Sequence, residues 1–193
     1  NLKLNSKVSL DYNNSEEDQY ESSATAIGGF LPSVGGQGYG IYSTNTLFTL
    51  LNSNTLTYLF DLGAKHHFNA MLGTEILQTK NRSSFASGRI FPSDDFTYIN
   101  SSGVQDAAGS GFAQNGLISG FGEVRYDYME KYLMTFTSRY DGSSRFGPNR
   151  RFGYFPSLSL GWRISEEPWM KSLEFIQDLK LRGSFGYTGN ERI

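Results

Sequence analysis

The stretch Tyr132–Arg163, YLMTFTSRYDGSSRFGPNRRFGYFPSLSLGWR, admits few folds. It is two alternating runs joined by a polar segment rich in Gly and Arg. In the first run Tyr132, Met134, Phe136 and Tyr140 share one face, and Thr135, Thr137, Arg139 and Asp141 share the other. In the second, Pro156, Leu158, Leu160 and Trp162 oppose Ser157, Ser159, Gly161 and Arg163. A period of two belongs to a β-strand, whose successive side chains point to opposite faces. Each strand therefore has a greasy face and a wet one. The greasy face must meet either a protein core or lipid.

Composition narrows the classes. Gly (22) and aromatic residues (15%) are frequent and Pro (5) is scarce, which favours strands and turns over helices. Net charge is -2 with no basic block, so nucleic acid is not expected as a partner. There is no Cys, which removes disulfides, thiol chemistry and Cys-based zinc sites. Mean hydropathy is -0.41, and no apolar run approaches the ~18 residues of a transmembrane helix. A membrane barrel remains compatible with both facts, because its strands hide apolar residues in alternation. The chain opens on a strand pattern at Asn1 without a signal peptide, and stops just after another strand, so it reads as a fragment.

The alternation recurs along the chain. Leu2, Leu4, Val8, Leu10 and Tyr12 share a face. Residues 45–62 place Phe48, Leu50, Leu56, Tyr58, Phe60 and Leu62 together, with Asn52 and Asn54 interrupting that face. After a short turn at Gly63–His66, Phe68, Ala70, Leu72 and Ile76 oppose His67, Asn69, Met71, Gly73 and Glu75. Ile118, Gly120, Gly122, Val124, Tyr126 and Tyr128 alternate with Ser119, Phe121, Glu123, Arg125 and Asp127. Leu179, Leu181, Phe185 and Tyr187 oppose Lys180, Arg182, Ser184 and Gly186. Between Ile164 and Asp178, Ser165 suits an N-cap, and Glu166, Glu167 and Pro168 suit a first turn, so one or two helical turns are expected.

These runs predict about seven strands. Their connections alternate in length: long loops near 13–43 and 81–115, a medium loop near 142–154, and short or compact links at 63–66, 129–131 and 164–178. Hairpins with short turns at one end and long loops at the other are the layout of outer-membrane barrels. Tyr58 and Phe60 precede one short turn, Tyr126, Tyr128 and Tyr132 bracket the next, and Trp162 and Trp169 flank the third link. Amphipathic rings favour the membrane interface. The expected fold class is all-β, an antiparallel up-and-down transmembrane β-barrel, incomplete, with residues 1–193 forming part of one barrel domain. Seven strands leave two open edges, which only closure satisfies in lipid.

The segment Tyr126–Asn190 closely resembles the barrel of SusC/RagA-like TonB-dependent outer-membrane transporters. The strings that carry the likeness are YDYMEKYLMTFTSRYDGSSRFGPNRRFGYFPSLSLGWRISEEPWM and LKLRGSFGYTGN. Upstream, NTLTYLF at 54–60 and HFNAMLG at 67–73 are also similar to this family, whereas 13–43 and 81–115 carry no such likeness. The resemblance implies a barrel of about 22 strands with a plug in its lumen. It implies energised import of glycan or peptide fragments, a location in the Gram-negative outer membrane, and a SusD-like surface lipoprotein as partner. Coupling to TonB would run through an N-terminal region absent from this chain.

Glu123, Arg125, Asp127, Arg139, Asp141, Arg163, Lys180 and Arg182 all fall on polar strand faces, the lumen side of a barrel. Of these, Glu123, Arg125, Arg139, Asp141, Arg163 and Arg182 are the candidate contacts for cargo or plug. The plainer account is a cross-strand charge ladder that only steadies the wall. Gly142 and Gly147 open a P-loop spacing, but Pro148 and Asn149 follow where Gly-Lys-Ser/Thr is required, so a phosphate cradle is excluded. Arg145, Arg150 and Arg151 are suited to an anion or to fixing the loop. His66 and His67 are adjacent on a strand and diverge, a poor metal pair. No nucleophile–His–acid set or paired carboxylate site is recognisable, so neither catalysis nor a cofactor is expected. Sequons at Asn13, Asn81 and Asn100 carry no weight in a bacterial outer-membrane protein. Phe30, Tyr39, Tyr42, Phe85, Phe91, Phe96, Tyr98 and Phe112 lie in the long loops, either to stack on sugar rings or to pack the loops. A soluble carbohydrate-binding β-sandwich is the competing expectation, and it requires the greasy faces to meet each other.

Overall fold

The computed structural model describes residues 1–30, 37–173 and 175–189, with the Phe30 side chain outside that set. The described residues contain seven strands: β1 (Leu2–Glu21), β2 (Tyr39–Leu62), β3 (His66–Arg89), β4 (Val104–Tyr128), β5 (Tyr132–Ser143), β6 (Phe152–Arg163) and β7 (Lys180–Gly186). They form one antiparallel sheet in simple sequence order, β1 to β7, so every connection is a hairpin. A β-sandwich needs a second sheet. The described residues form one, and among them the buried hydrophobic side chains are Phe91 (3% exposed) and Met170 (6%). The greasy faces do not meet each other.

Register shows how the faces line up. Val124, Phe136, Leu158 and Phe185 form one row across β4–β7, and Tyr126, Met134, Leu160 and Gly183 form the next. The polar rows alternate with them: Glu123, Thr137, Ser157 and Gly186, then Arg125, Thr135, Ser159 and Ser184. Directly opposed residues on antiparallel strands share a face, so the period-two pattern of single strands becomes a two-sided wall. The apolar side lies open: Leu160 is 54% exposed and Phe185 71%.

The chain divides into two compact units, one of Asn1–Ser9, Leu50–Gln78 and Asn115–Ile193, the other of Leu10–Thr49 and Thr79–Gln114. In the first, aromatic rings gather along the short-turn end. Tyr58, Phe60, Phe68 and Tyr126 follow one another at centroid spacings of 5.2, 4.8 and 4.8 Å. His66 joins Tyr126 to Tyr128, and Tyr132 and Trp162 continue the series. Such a girdle suits a membrane–water boundary. The turns beneath it are tight. Gly63 has φ 68, and Met129 and Glu130 have φ 54 and 58, the positive values of a primed hairpin turn. Asp127 supports that turn by accepting the Glu130 N–H (2.7 Å).

The connector after β6 folds as a 3-10 turn (Ile164–Glu166) followed by further turns, without an α-helix among its described residues. Ser165 does not cap it; its hydroxyl donates to Asp178 (3.3 Å). Glu167 holds the connector to the girdle instead, accepting from Tyr132 Oη (2.7 Å), Trp162 Nε1 (3.2 Å) and Lys131 Nζ (3.4 Å). The Tyr132 bond first, and then that from Trp162, holds this carboxyl below its ordinary range. Pro156 lies within β6 and limits its pairing on the β7 side. Tyr187 N–H donates to the Pro156 carbonyl (3.0 Å), but proline has no N–H to return, and β7 ends at Gly186.

The long loops are shorter than expected. Residues 13–21 continue β1, 39–43 belong to β2, and 81–89 and 104–115 belong to β3 and β4. The loop expected at 142–154 spans only 144–151. Within these extensions 11–19 and 81–85 are exposed throughout, and a stretch with neither face buried has no need to alternate. Residues 31–36, inside the first expected loop, lie outside the described residues, as do Glu174 and 190–193. In the second unit, Asp94 collects the end of β1. It accepts from Tyr20 Oη (2.7 Å), Ser22 Oγ (2.8 Å), and Ser23 N–H and Oγ (3.1 Å each). Phe91 packs edge-on against Tyr20 at 5.1 Å. Among the loop aromatics it packs, whereas Phe96 and Tyr98 stand 54% and 72% exposed.

Two outcomes follow from this arrangement. In the full-length barrel, Leu160→Arg puts a charge on the lipid side at a cost of ~2–4 kcal/mol near the midplane. The heat-modifiable, folded fraction in membranes then drops, while Ser159→Arg on the polar side leaves it close to wild type. Equal assembly of both contradicts the facing. The Asp94 carboxyl is lowered from 3.8 to about 2, chiefly by the Tyr20 hydroxyl and then the Ser23 N–H. A depressed acid stabilises its folded contacts above its unfolded value and loses that contribution as pH falls through about 2. Hydrogen-exchange protection around Ser23, corrected for intrinsic rate, therefore holds from pH 7 to about 4 and fades towards 2. Asp94→Asn weakens it at every pH.

Candidate functional site

The polar face of β3–β6 centres on Arg139. Its position on β5 sets it opposite Phe121 on β4 and Phe155 on β6. Its Nε donates to both oxygens of Asp141 (2.7 and 3.0 Å), and its Nη2 donates to Glu75 (3.2 Å) and Ser119 Oγ (2.8 Å). Its guanidinium lies 5.3 Å from the Phe121 ring centroid. Phe121 occupies the space a Cβ would take at Gly73, so the glycine lets the ring lie against β3. Asp141 (21% exposed) and Glu75 (26%) are partly withdrawn from water, which strengthens these charge-assisted bonds.

The other sequence-predicted residues are placed apart. Glu123 and Arg125 pair with each other at 2.6 Å on one strand, and the Arg125 side chain is 61% exposed, so the pair is worth only ~0–1 kcal/mol. Arg163 stands near the short-turn end among Glu130 (3.7 Å), Glu166 (3.9 Å) and Asp178 (4.0 Å). With His67, Asp127 and Lys180 it lines a cleft of about 590 Å³. Arg182 faces Gly161 across the β6–β7 ladder and makes no ion pair among the described residues. The two histidines separate. His66 Nδ1 lies 2.8 Å from Tyr126 Oη in the girdle, and His67 Nδ1 lies 2.7 Å from Asp61.

A larger cleft, about 710 Å³, opens beside Arg139 between β5, the 144–151 loop, β6 and the residues after β7. Arg150, Arg151, Phe146 and Tyr187 join Arg139 and Asp141 in its walls. On its floor the Thr137 and Ser157 hydroxyls bond across the β5–β6 pair. Sequence reasoning put Arg139 and Asp141 together but missed Glu75, Ser119 and Phe155. Parity already placed Glu75 and Ser119 on the polar face. What it lacked was the stagger that carries a β5 side chain over β4 to β3.

The Arg139 cluster gives a direct test. Arg139→Ala leaves Glu75 and Asp141 facing each other without a cation, a loss of ~1–3 kcal/mol. The unfolding temperature of the full-length barrel, read by heat-modifiable gel mobility, falls. Arg139→Lys recovers part of it, since an ammonium cannot make the paired donation to Asp141. No change with Arg139→Ala contradicts the central role.

Comparison with known proteins agrees with this wall. Residues 1–190 match the family described as TonB dependent receptor-like, beta-barrel. The chain is 36% identical over 182 residues to TonB-dependent receptor P3 of Formosa agariphila, covering 90% of this chain and 18% of that protein. It is 40% identical over 136 residues to TonB-dependent receptor SusC of Bacteroides thetaiotaomicron, covering 70% and 13%. The RagAB peptide transporter superposes on 100% of the chain and 21% of its own, with a TM-score of 0.84 and 24% identity, a likeness of fold. The chain spans less than a fifth of these curated relatives. With an uncovered apolar face, a polar face knitted by charge, and a family match across nearly its whole length, the chain belongs to the TonB-dependent receptor-like β-barrel family.

Proposed function

We propose that this chain supplies wall and outer hairpins to a transporter of the Gram-negative outer membrane that imports glycan or peptide fragments. The observation that carries the reading is the division of one sheet into an uncovered apolar face and a polar face whose charges are paired across three strands. The first suits lipid, and the second suits a lumen that must stay polar without collapsing. The aromatic girdle at the short-turn end supports assigning that end to the periplasmic boundary. Membership of a receptor family, and a fold shared with a peptide transporter, favour uptake over catalysis.

In this reading Glu123, Arg125, Arg139, Asp141, Arg163 and Arg182 face the plug or the passing cargo. A SusD-like surface lipoprotein closes over the outer loops, and TonB supplies energy through a region outside this chain. The test uses the whole gene. Its deletion should abolish growth on one class of oligomer, glycan or peptide, and leave growth on the corresponding monomers intact. The full-length protein should fractionate with outer membranes and run faster on gels before heating. A soluble full-length protein, or unchanged growth on every oligomer tested, overturns the proposal.

A further inference from the structure

Resting on that transport reading, we infer that the cleft beside Arg139 is an anion subsite of the passage, taking a carboxylate- or sulfate-bearing oligomer by its charged group. Its walls bring three arginines, Arg139, Arg150 and Arg151, against one acid, Asp141. The first of these is more than matched, since Arg139 holds Asp141 through both oxygens and Glu75 besides. Asp141 is engaged by the same contacts. The two remaining guanidiniums, on Arg150 and Arg151, have no carboxylate within 4.0 Å among the described residues. Counted with Glu75, the described residues set three guanidiniums against two carboxylates, a net charge of +1, with both carboxylates held at Arg139 and the positive excess at the loop wall.

That pair is held in place by the backbone. Arg150 N–H donates to the Gly147 carbonyl (3.0 Å), and Ser143 N–H donates to the Arg151 carbonyl (2.9 Å). Both side chains sit on a short, braced loop between two paired strands, on the 3-10 turn Pro148–Arg150 and just after it. Guanidinium groups match carboxylate and sulfate oxygens through paired N–H donors, and they are weakly hydrated, so an anion replaces water there at small cost. The rest of the cleft suits the body of an oligomer. Phe146, Phe155 and Tyr187 supply flat apolar surface, and Thr137 and Ser157 supply hydroxyls. Its volume, about 710 Å³, lies in the ~300–1,000 Å³ range of small-ligand sites. The failed P-loop spacing in this same loop fits the assignment: side chains, rather than a glycine-rich backbone cradle, present the donors.

The test is binding to purified full-length transporter in detergent, measured by calorimetry, which needs no energised import. The probes are tetragalacturonate and tetraglutamate, with maltotetraose and tetraglycine as neutral counterparts. At least one anionic probe should bind, and more weakly at 0.5 M salt. Which one binds tells a uronate source from a peptide source. The double variant Arg150→Gln/Arg151→Gln should weaken that binding at least about tenfold, as expected for losing charge-assisted hydrogen bonds. The single variants should fall between, and they carry the test if the double variant loses its heat-modifiable mobility. Wild-type protein that binds neither anion overturns the inference. So do variants that bind as wild type, or that lose neutral and anionic probes alike. Arginine-dependent binding in a protein that supports no uptake upholds the site and sinks only the transport reading.

Discussion

In hydrocarbon, a backbone N–H or C=O has no water to fall back on, so each must find its partner sideways in the neighbouring strand. The ladder that results decides the rest of this chain. Once β4 to β7 are paired in register, every side chain is committed to one of two faces, and a slip of one residue would exchange them. Rows such as Val124–Phe136–Leu158–Phe185 follow from that pairing. The sheet needs no interior core, and its described residues hardly have one. What replaces the core is a division of faces: apolar side chains on one, polar and charged side chains on the other.

Facing was legible in the sequence because it depends only on parity, and parity survives in each strand separately. Leu160 and Ser159 fall on opposite sides by their numbers alone. Strand ends were harder. Asn13–Glu21 is strand without alternation, since a segment wet on both faces is under no pressure to alternate. The connector 164–178 read as helical from its capping residues, yet Glu167 was drawn to Tyr132 and Trp162 rather than to a helix N-terminus. Tertiary partners outweighed local propensity there.

The candidate site shows the same division. Arg139 and Asp141 are two residues apart on one strand, and their pairing is a local fact. Glu75 lies on β3, with β4 between it and β5, and the sequence holds no record of that approach. The surplus charge of Arg150 and Arg151 is likewise invisible until the partners of Arg139 are known. The balance of three arginines against the acids becomes countable only once β3, two strands from β5, has supplied Glu75 as the second carboxylate.

Pro156 has a consequence of its own. The position paired with Tyr187 would ordinarily exchange two backbone bonds, and here it keeps one. Zippering of β7 onto β6 thus stops beside Phe155 and Ser157, where the large cleft begins. One imino acid works as a fork in the wall. It lets the chain leave the sheet at a set height and turns what would be plain strand surface into a bay with sides.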